Sequence, residues 1–298
     1  MSTSTTPEKG RTRSRILIAL GIVIVVATYI YLVVGGGYQT VAEGEVANLS
    51  EQGALIAIIG YLLGAVLIAV GAIHRLTTVA LALIPVAIAL NIVVGQLVAV
   101  LGLPIYLDSI GTVLVSALAG PAAGVVTGIL TNVIWGLLLN PISLPFAVVQ
   151  VVIGVMAGYA ARWGFFRMWY LAPVAGAVTG IVAAIISAPI AAYVFGGATS
   201  VGTGALVGAF QEMGNSLLAS TTFQGLLSDP LDKAITFTIV VLILAALPGR
   251  FRQRFPFARE YNVFGRKTPT LTPSSAAAAP SAAPGAAPSV DKDDSGAS

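Results

Sequence analysis

The residues of this chain that could do chemistry are few and of a narrow type. Asn91, Gln96, Asn132, Asn140 and Gln150 are neutral amides set in or beside apolar runs, with Tyr106 and Trp135 between them. Trp135 follows Asn132 by three residues, about one helical turn along roughly the same face. An amide can hydrogen-bond the edge of a flat heterocycle while an aromatic ring stacks on its face. Amides also hold helices together in lipid, at about 0.6–2 kcal/mol each. Gln211, Glu212 and Asn215 fall at i, i+1 and i+4, on about one helical face of the stretch 205–218, whose one acid is Glu212. Asp108 stands before Ser-Ile-Gly-Thr, where it is expected to cap a helix and complement its positive end, and where it could also touch a ligand.

Several chemistries are excluded. With no cysteine there is no disulfide, thiolate nucleophile or Cys-bearing metal site, and the single histidine, His74, cannot build a multi-His centre. No cofactor is expected. His74 is also poorly placed for a Ser-His-Asp constellation, and no G-x-x-x-x-G-K-[S/T] phosphate loop occurs, so the chain is not read as an enzyme.

The elements that must position these groups are membrane helices. Of 298 residues, 57% are hydrophobic and 9% charged. Mean hydropathy is +0.93. Such a composition excludes an ordinary soluble domain. A helix needs roughly 20 apolar residues to cross the hydrocarbon core. Cutting at polar, Pro and Gly interruptions predicts eight spans, at 16–34, 54–73, 78–100, 105–119, 122–139, 145–161, 171–195 and 231–248. Gly120-Pro121 predicts a tight helical hairpin, with proline at a first helical position. Gly124-x-x-x-Gly128 and Gly154-x-x-x-Gly158 read as close-packing faces.

Positive residues mark the cytoplasmic ends of spans. Lys9, Arg11, Arg13 and Arg15 precede the first span, which reads as an anchor because no A-x-A cleavage site follows it. Alternation from there puts His74-Arg75, Arg162 to Arg167, and Arg250, Arg252, Arg254, Arg259, Arg266 and Lys267 on the same side, leaving Lys233 as the exception among 15 Lys and Arg. Glu43, Glu45, Glu51, Asp108, Glu212, Asp229 and Asp232 fall in the opposite loops. The expected protein is multi-pass in the plasma membrane with both termini cytoplasmic. Residues 268–298, rich in Ala, Pro, Ser and Gly, cannot bury enough apolar surface to fold and are expected to be disordered. Three outer loops are predicted, at 101–107, 140–144 and 196–230, the last folding back over a cavity as a lid.

The stretch from Leu90 to Arg162, with its short fourth span, the turn Leu118-Ala119-Gly120-Pro121 and Thr131-Asn132, resembles the substrate-specific S components of energy-coupling factor (ECF) transporters. The resemblance implies an all-α polytopic protein with a six-helix substrate-binding membrane domain at 76–250. A two-helix transmembrane extension would occupy 16–75, a basic head 1–15, and a basic segment and tail 251–298. It also implies a transmembrane coupling subunit and two ATPase subunits as partners, with no nucleic acid involved. The small-molecule substrate would be a vitamin or related micronutrient, held by Asn91, Gln96, Tyr106, Asp108, Asn132, Trp135, Asn140, Gln150, Gln211, Glu212 and Asn215. A nucleobase or nucleoside is the alternative substrate. The family docks through small residues of its first core helix, often A-x-x-x-A. Here Thr78, Ala82, Ala87 and Ala89 stand in for that motif at a different spacing.

A stand-alone secondary transporter, or a membrane sensor or assembly protein, are the competing classes. A coupled carrier normally places ionisable groups or broken helices at midmembrane, and the predicted spans hold no acid there.

Overall fold

Four of the helices begin where a short hydroxyl side chain satisfies a backbone donor that the first helical turn leaves orphaned. The computed structural model describes residues 8–35, 38–39, 48–73 and 76–264. The main helices are α1 (Glu8–Val34), α2 (Glu51–Ala72), α3 (Thr78–Val100), α4 (Ile110–Ala119), α5 (Pro121–Leu138), α6 (Ala147–Arg162), α7 (Leu171–Tyr193), α8 (Val201–Glu212) and α9 (Leu217–Ala246). Short helices α10 (Gly249–Arg252) and α11 (Pro256–Glu260) follow. Ser50, Thr77, Ser200 and Ser216 cap α2, α3, α8 and α9, each side chain accepting the N–H three residues on. Tyr38–Gln39 and Asn48–Leu49 form a two-residue antiparallel pairing. His74, Arg75, Glu43, Glu45, Arg266, Lys267 and the 268–298 tail lie outside the described residues, as do the side chains of Lys9 and Arg11.

This is a helical, multi-pass membrane protein. Among the described residues, six segments are long and apolar enough to cross a bilayer: Thr12–Val34, Glu51–Ala72, Thr78–Val100, Pro121–Leu138, Pro141–Arg162 and Leu171–Tyr193. The predicted count of eight changes in two places. Residues 105–109 are not helical, so α4 has only 10 residues, too few to cross alone. The predicted eighth span begins fourteen residues early, because α9 runs unbroken for 30 residues from Leu217 through Asp229, Pro230, Asp232 and Lys233.

Small residues bring the helices together. α5 and α6 pack where Gly154 meets Gly124 and Val125, Gly158 meets Pro121, and Gly128 meets Gln150; an added Cβ would stand 2.6 to 2.9 Å from those neighbours. Both expected packing motifs are used in this way. The most extensive pairing, α7 with α9, rests on Gly176 and Gly180, whose missing side chains leave room for the backbone carbonyls of Lys233 and Asp229. The hairpin at Gly120 forms as expected, with φ 94° and Pro121 at the first helical position. α1 and α2 pack on each other through Gly21 and Gly64, and two tyrosines tie them to the rest. Tyr29 donates to the Ile186 carbonyl at 3.3 Å, and Tyr61 donates to the Pro145 carbonyl at 3.1 Å.

Candidate functional site

A cavity of about 90 Å³ opens among α3, α5, α6, α7 and α9. Its polar lining includes Tyr106, Asp108, Asn132, Asn140, Gln150, Ser187, Asp229 and Lys233, with Trp135 and Phe146 as rings. One wall is the 3₁₀ turn Pro141–Phe146, which Asn140 starts by accepting the Ile142 N–H at 3.2 Å. Phe146 stacks on Phe195 with ring centroids 5.9 Å apart. Gly95 lets Trp135 and Asp108 close in, since a Cβ there would lie 2.8 Å from the indole and 3.0 Å from the Asp108 Cβ.

Of the charged residues of the site, only Asp108 is expected from the sequence. Lys233 Nζ pairs with Asp108 Oδ1 at 3.3 Å and more tightly with its neighbour Asp232. Asp232 is fully buried, and its Oδ1 also accepts the backbone N–H groups of Tyr106 at 3.1 Å and Leu107 at 2.7 Å. Leu107 adopts a left-handed φ of 48°, a conformation rare outside glycine, as two successive N–H groups converge on one oxygen. Asp229, one turn earlier on α9, takes part in no ion pair among the described residues; its hydrogen bond comes from Ser187 Oγ at 3.4 Å. These residues lie within α9, whose backbone packs on α7 at Gly176 and Gly180, and not in a loop of their own, so three expectations fall. Asp229 and Asp232 are not loop acids, ionisable groups do lie within a long apolar helix, and Lys233 is no exception to the loop-charge rule because it is not in a loop. Asp108 is no cap either: Ser109 holds that position, without a side-chain cap bond, and the Asp108 carboxylate turns to Lys233.

The amides divide into three groups. Asn132 and Gln150 line the cavity. Asn132 Nδ2 donates to the Ser143 carbonyl at 2.9 Å, while its Oδ1 is buried with no partner. Gln150 Oε1 accepts from Thr112 at 2.9 Å, and its Nε2 donates to the Asp108 carbonyl at 3.3 Å. Asn91 and Gln96 do not line the cavity. Asn91 is a fully buried hub that donates to Thr112 and Thr131 at 3.0 and 3.1 Å and accepts the Gly111 N–H at 2.6 Å, joining α3, α4 and α5. Gln96 accepts the Trp135 indole N–H at 2.9 Å and so aims that ring.

Gln211, Glu212 and Asn215 also stand apart from the cavity. Gln211 and Glu212 are exposed on α8; Asn215 lies past the helix end, where Gly214 takes φ 87°, and donates to the Phe210 carbonyl at 2.9 Å. They do not share a helical face. The expected loop 196–230 is not one loop, because α8 and the start of α9 lie within it; Thr199 and Ser200 line the cavity beside Leu103, Ile105 and Tyr106, and Gly202 sits against the Gly102 carbonyl. Of the expected docking residues, Thr78, Ala82 and Ala89 are exposed, whereas Ala87 is buried against Gly111 of α4.

Sequence reasoning missed Asp229, Asp232, Lys233 and Ser187. The available signal was Ser216, a helix-start residue heading a run of helical length that ends only at Ala246. Comparison with protein-family models, with curated proteins and with solved structures gave no match.

Proposed function

We propose that the chain is the substrate-capturing membrane component of an ATP-driven importer of the ECF type, binding a vitamin or related micronutrient in the cavity between α3, α5, α6, α7 and α9. The observation that carries this reading is a cavity lined by amides, carboxylates and three aromatic rings inside a bundle of apolar helices, the usual form of a small-molecule site. Helices α3 to α9 would form the substrate-binding unit, and α1 and α2 the extension. The exposed face of Thr78, Ala82 and Ala89 is open to a coupling subunit. Energy would come from separate ATPase subunits, since the chain carries no phosphate loop.

Orientation follows from where the cations gather. Arg167 donates to the Tyr261 and Asn262 carbonyls, and Arg162 lies 5.0 Å from the Tyr261 ring, which brings these residues beside α11, at the end of the bundle away from the cavity. That end would be cytoplasmic, with both termini, and the cavity would open outward.

A second reading, a stand-alone ion-coupled carrier, is favoured by the ionisable groups Asp229, Asp232 and Lys233 flanking Pro230 midway along α9. The two are separated by purifying the full chain in detergent, identifying its co-purifying ligand by mass spectrometry, and reconstituting the chain alone in vesicles. Ligand capture without transport supports the importer component. Uptake driven by a proton or sodium gradient, with no partner and no ATP, supports the carrier.

A further inference from the structure

Resting on the reading of this cavity as a ligand site, we infer that its ligand carries a positive charge on a nitrogen that donates hydrogen bonds, and that the Asp229 carboxylate receives it. Three carboxylates, those of Asp108, Asp229 and Asp232, surround one ammonium, that of Lys233. Lys233 is already matched by Asp108 and Asp232, and Asp232 is further satisfied by two backbone donors. Asp229 is left over, 6% exposed, with one long hydrogen bond from a neutral hydroxyl. One ammonium shared among three carboxylates leaves negative charge uncompensated out of water, which is costly, and a cationic ligand removes that cost.

An independent observation points the same way. Asn132 lines the same cavity, is 1% exposed, and has its amide donor engaged by Ser143 while its carbonyl oxygen has no partner. The two under-satisfied groups in the cavity wall, Asp229 and the Asn132 carbonyl, are thus both acceptors. An anionic or acceptor-rich ligand would meet unpaired oxygens, whereas an amine, amidine or protonated aminoheterocycle would pair with both Asp229 and Asn132. Trp135, aimed by Gln96 and pressed into place beside Gly95, offers a ring face to a flat cation.

Three probes of one size and differing charge test this: benzamidinium, benzamide and benzoate, bound to the full-length chain in detergent freed of co-purified ligand, with affinity read from stabilisation against heat. The expected order places benzamidinium about tenfold or more tighter than the neutral probe, and benzoate weakest. Asp229→Asn should abolish the preference between benzamidinium and benzamide. Asn132→Ala, which keeps the charge, should weaken benzamidinium while preserving that preference. The proposal is overturned if benzamide or benzoate binds as tightly as benzamidinium, if the preference survives Asp229→Asn, or if sodium alone stabilises the chain and benzamidinium does not. These outcomes leave the importer reading standing. Conversely, a clear benzamidinium preference in a chain that captures no solute in cells overturns the importer reading alone, and failure of all three probes to bind overturns the proposal alone.

Discussion

Lys233 is the residue on which most of the buried charge depends, because both Asp108 and Asp232 face it. Removing one member of such a cluster leaves an uncompensated charge out of water, at about 3–5 kcal/mol. Lys233→Met should therefore lower thermal stability by that order. Adding Asp232→Asn should restore part of it, since the amide oxygen can still accept from Tyr106 and Leu107. Unfolding midpoints of the two variants in detergent check this, and a double variant less stable than Lys233→Met would refute the pairing. The amides separate by the same logic. Asn91→Ala strands the Gly111 N–H and removes the bond that Thr112 and Thr131 each accept, so it should cost about 1–3 kcal/mol of stability and leave ligand affinity near normal. Asn132→Ala should do the reverse, weakening capture more than unliganded stability. Asn215→Ala, away from the cavity, should change ligand affinity little.

At the scale of elements, the apolar runs were legible from composition because length and hydropathy alone define a span. α3 matches its predicted limits, and α2, α5 and α7 lie close to theirs. α9 was not legible: Asp-Pro-Leu-Asp-Lys reads as a break when each charge is scored against lipid, and only tertiary pairing with Asp108 makes that segment tolerable inside a helix. The cavity was legible in Tyr106, Asp108, Asn132, Trp135, Asn140 and Gln150, which occupy the predicted segments. It was illegible in its charge, because the partners of Lys233 lie both next to it and 125 residues away. Glycines show the same split between local and tertiary causes. Gly180 meets the Asp229 carbonyl, so Gly180→Val should push α7 from α9 and cost about 1–3 kcal/mol or more, with loss of ligand capture. Gly208 in α8 has nothing within 4 Å of an added Cβ, so Gly208→Ala should raise stability by about 0.5–1 kcal/mol. Thermal unfolding of the pair, measured side by side, distinguishes packing glycines from merely permissive ones.

At the scale of the whole molecule, the arginines that follow α9 and the cavity sit at opposite ends of α7 and α9. α7 leads from the Arg167 turn toward Ser187 and the cavity, α9 returns antiparallel beside it, and the chain leaves α9 into Arg250, Arg252, Arg254 and Arg259. With these arginines in the cytoplasm, as proposed, the end near Thr199, Ser200 and the 101–109 loop would lie on the other face. The absence of cysteine from the chain makes this directly measurable, since a single introduced thiol is the one reactive site. Val201, 83% exposed at the start of α8, and Arg250, exposed beyond the end of α9, are suitable positions. In intact cells a membrane-impermeant maleimide should label Val201→Cys and spare Arg250→Cys, and permeabilisation should make Arg250→Cys reactive. Saturating the chain with its co-purified ligand should slow labelling at Ser200→Cys, which lines the cavity, more than at Val201→Cys. Labelling of Arg250→Cys before permeabilisation would invert the protein in the membrane and turn the cavity to the cytoplasm, which is incompatible with capture of a nutrient from outside.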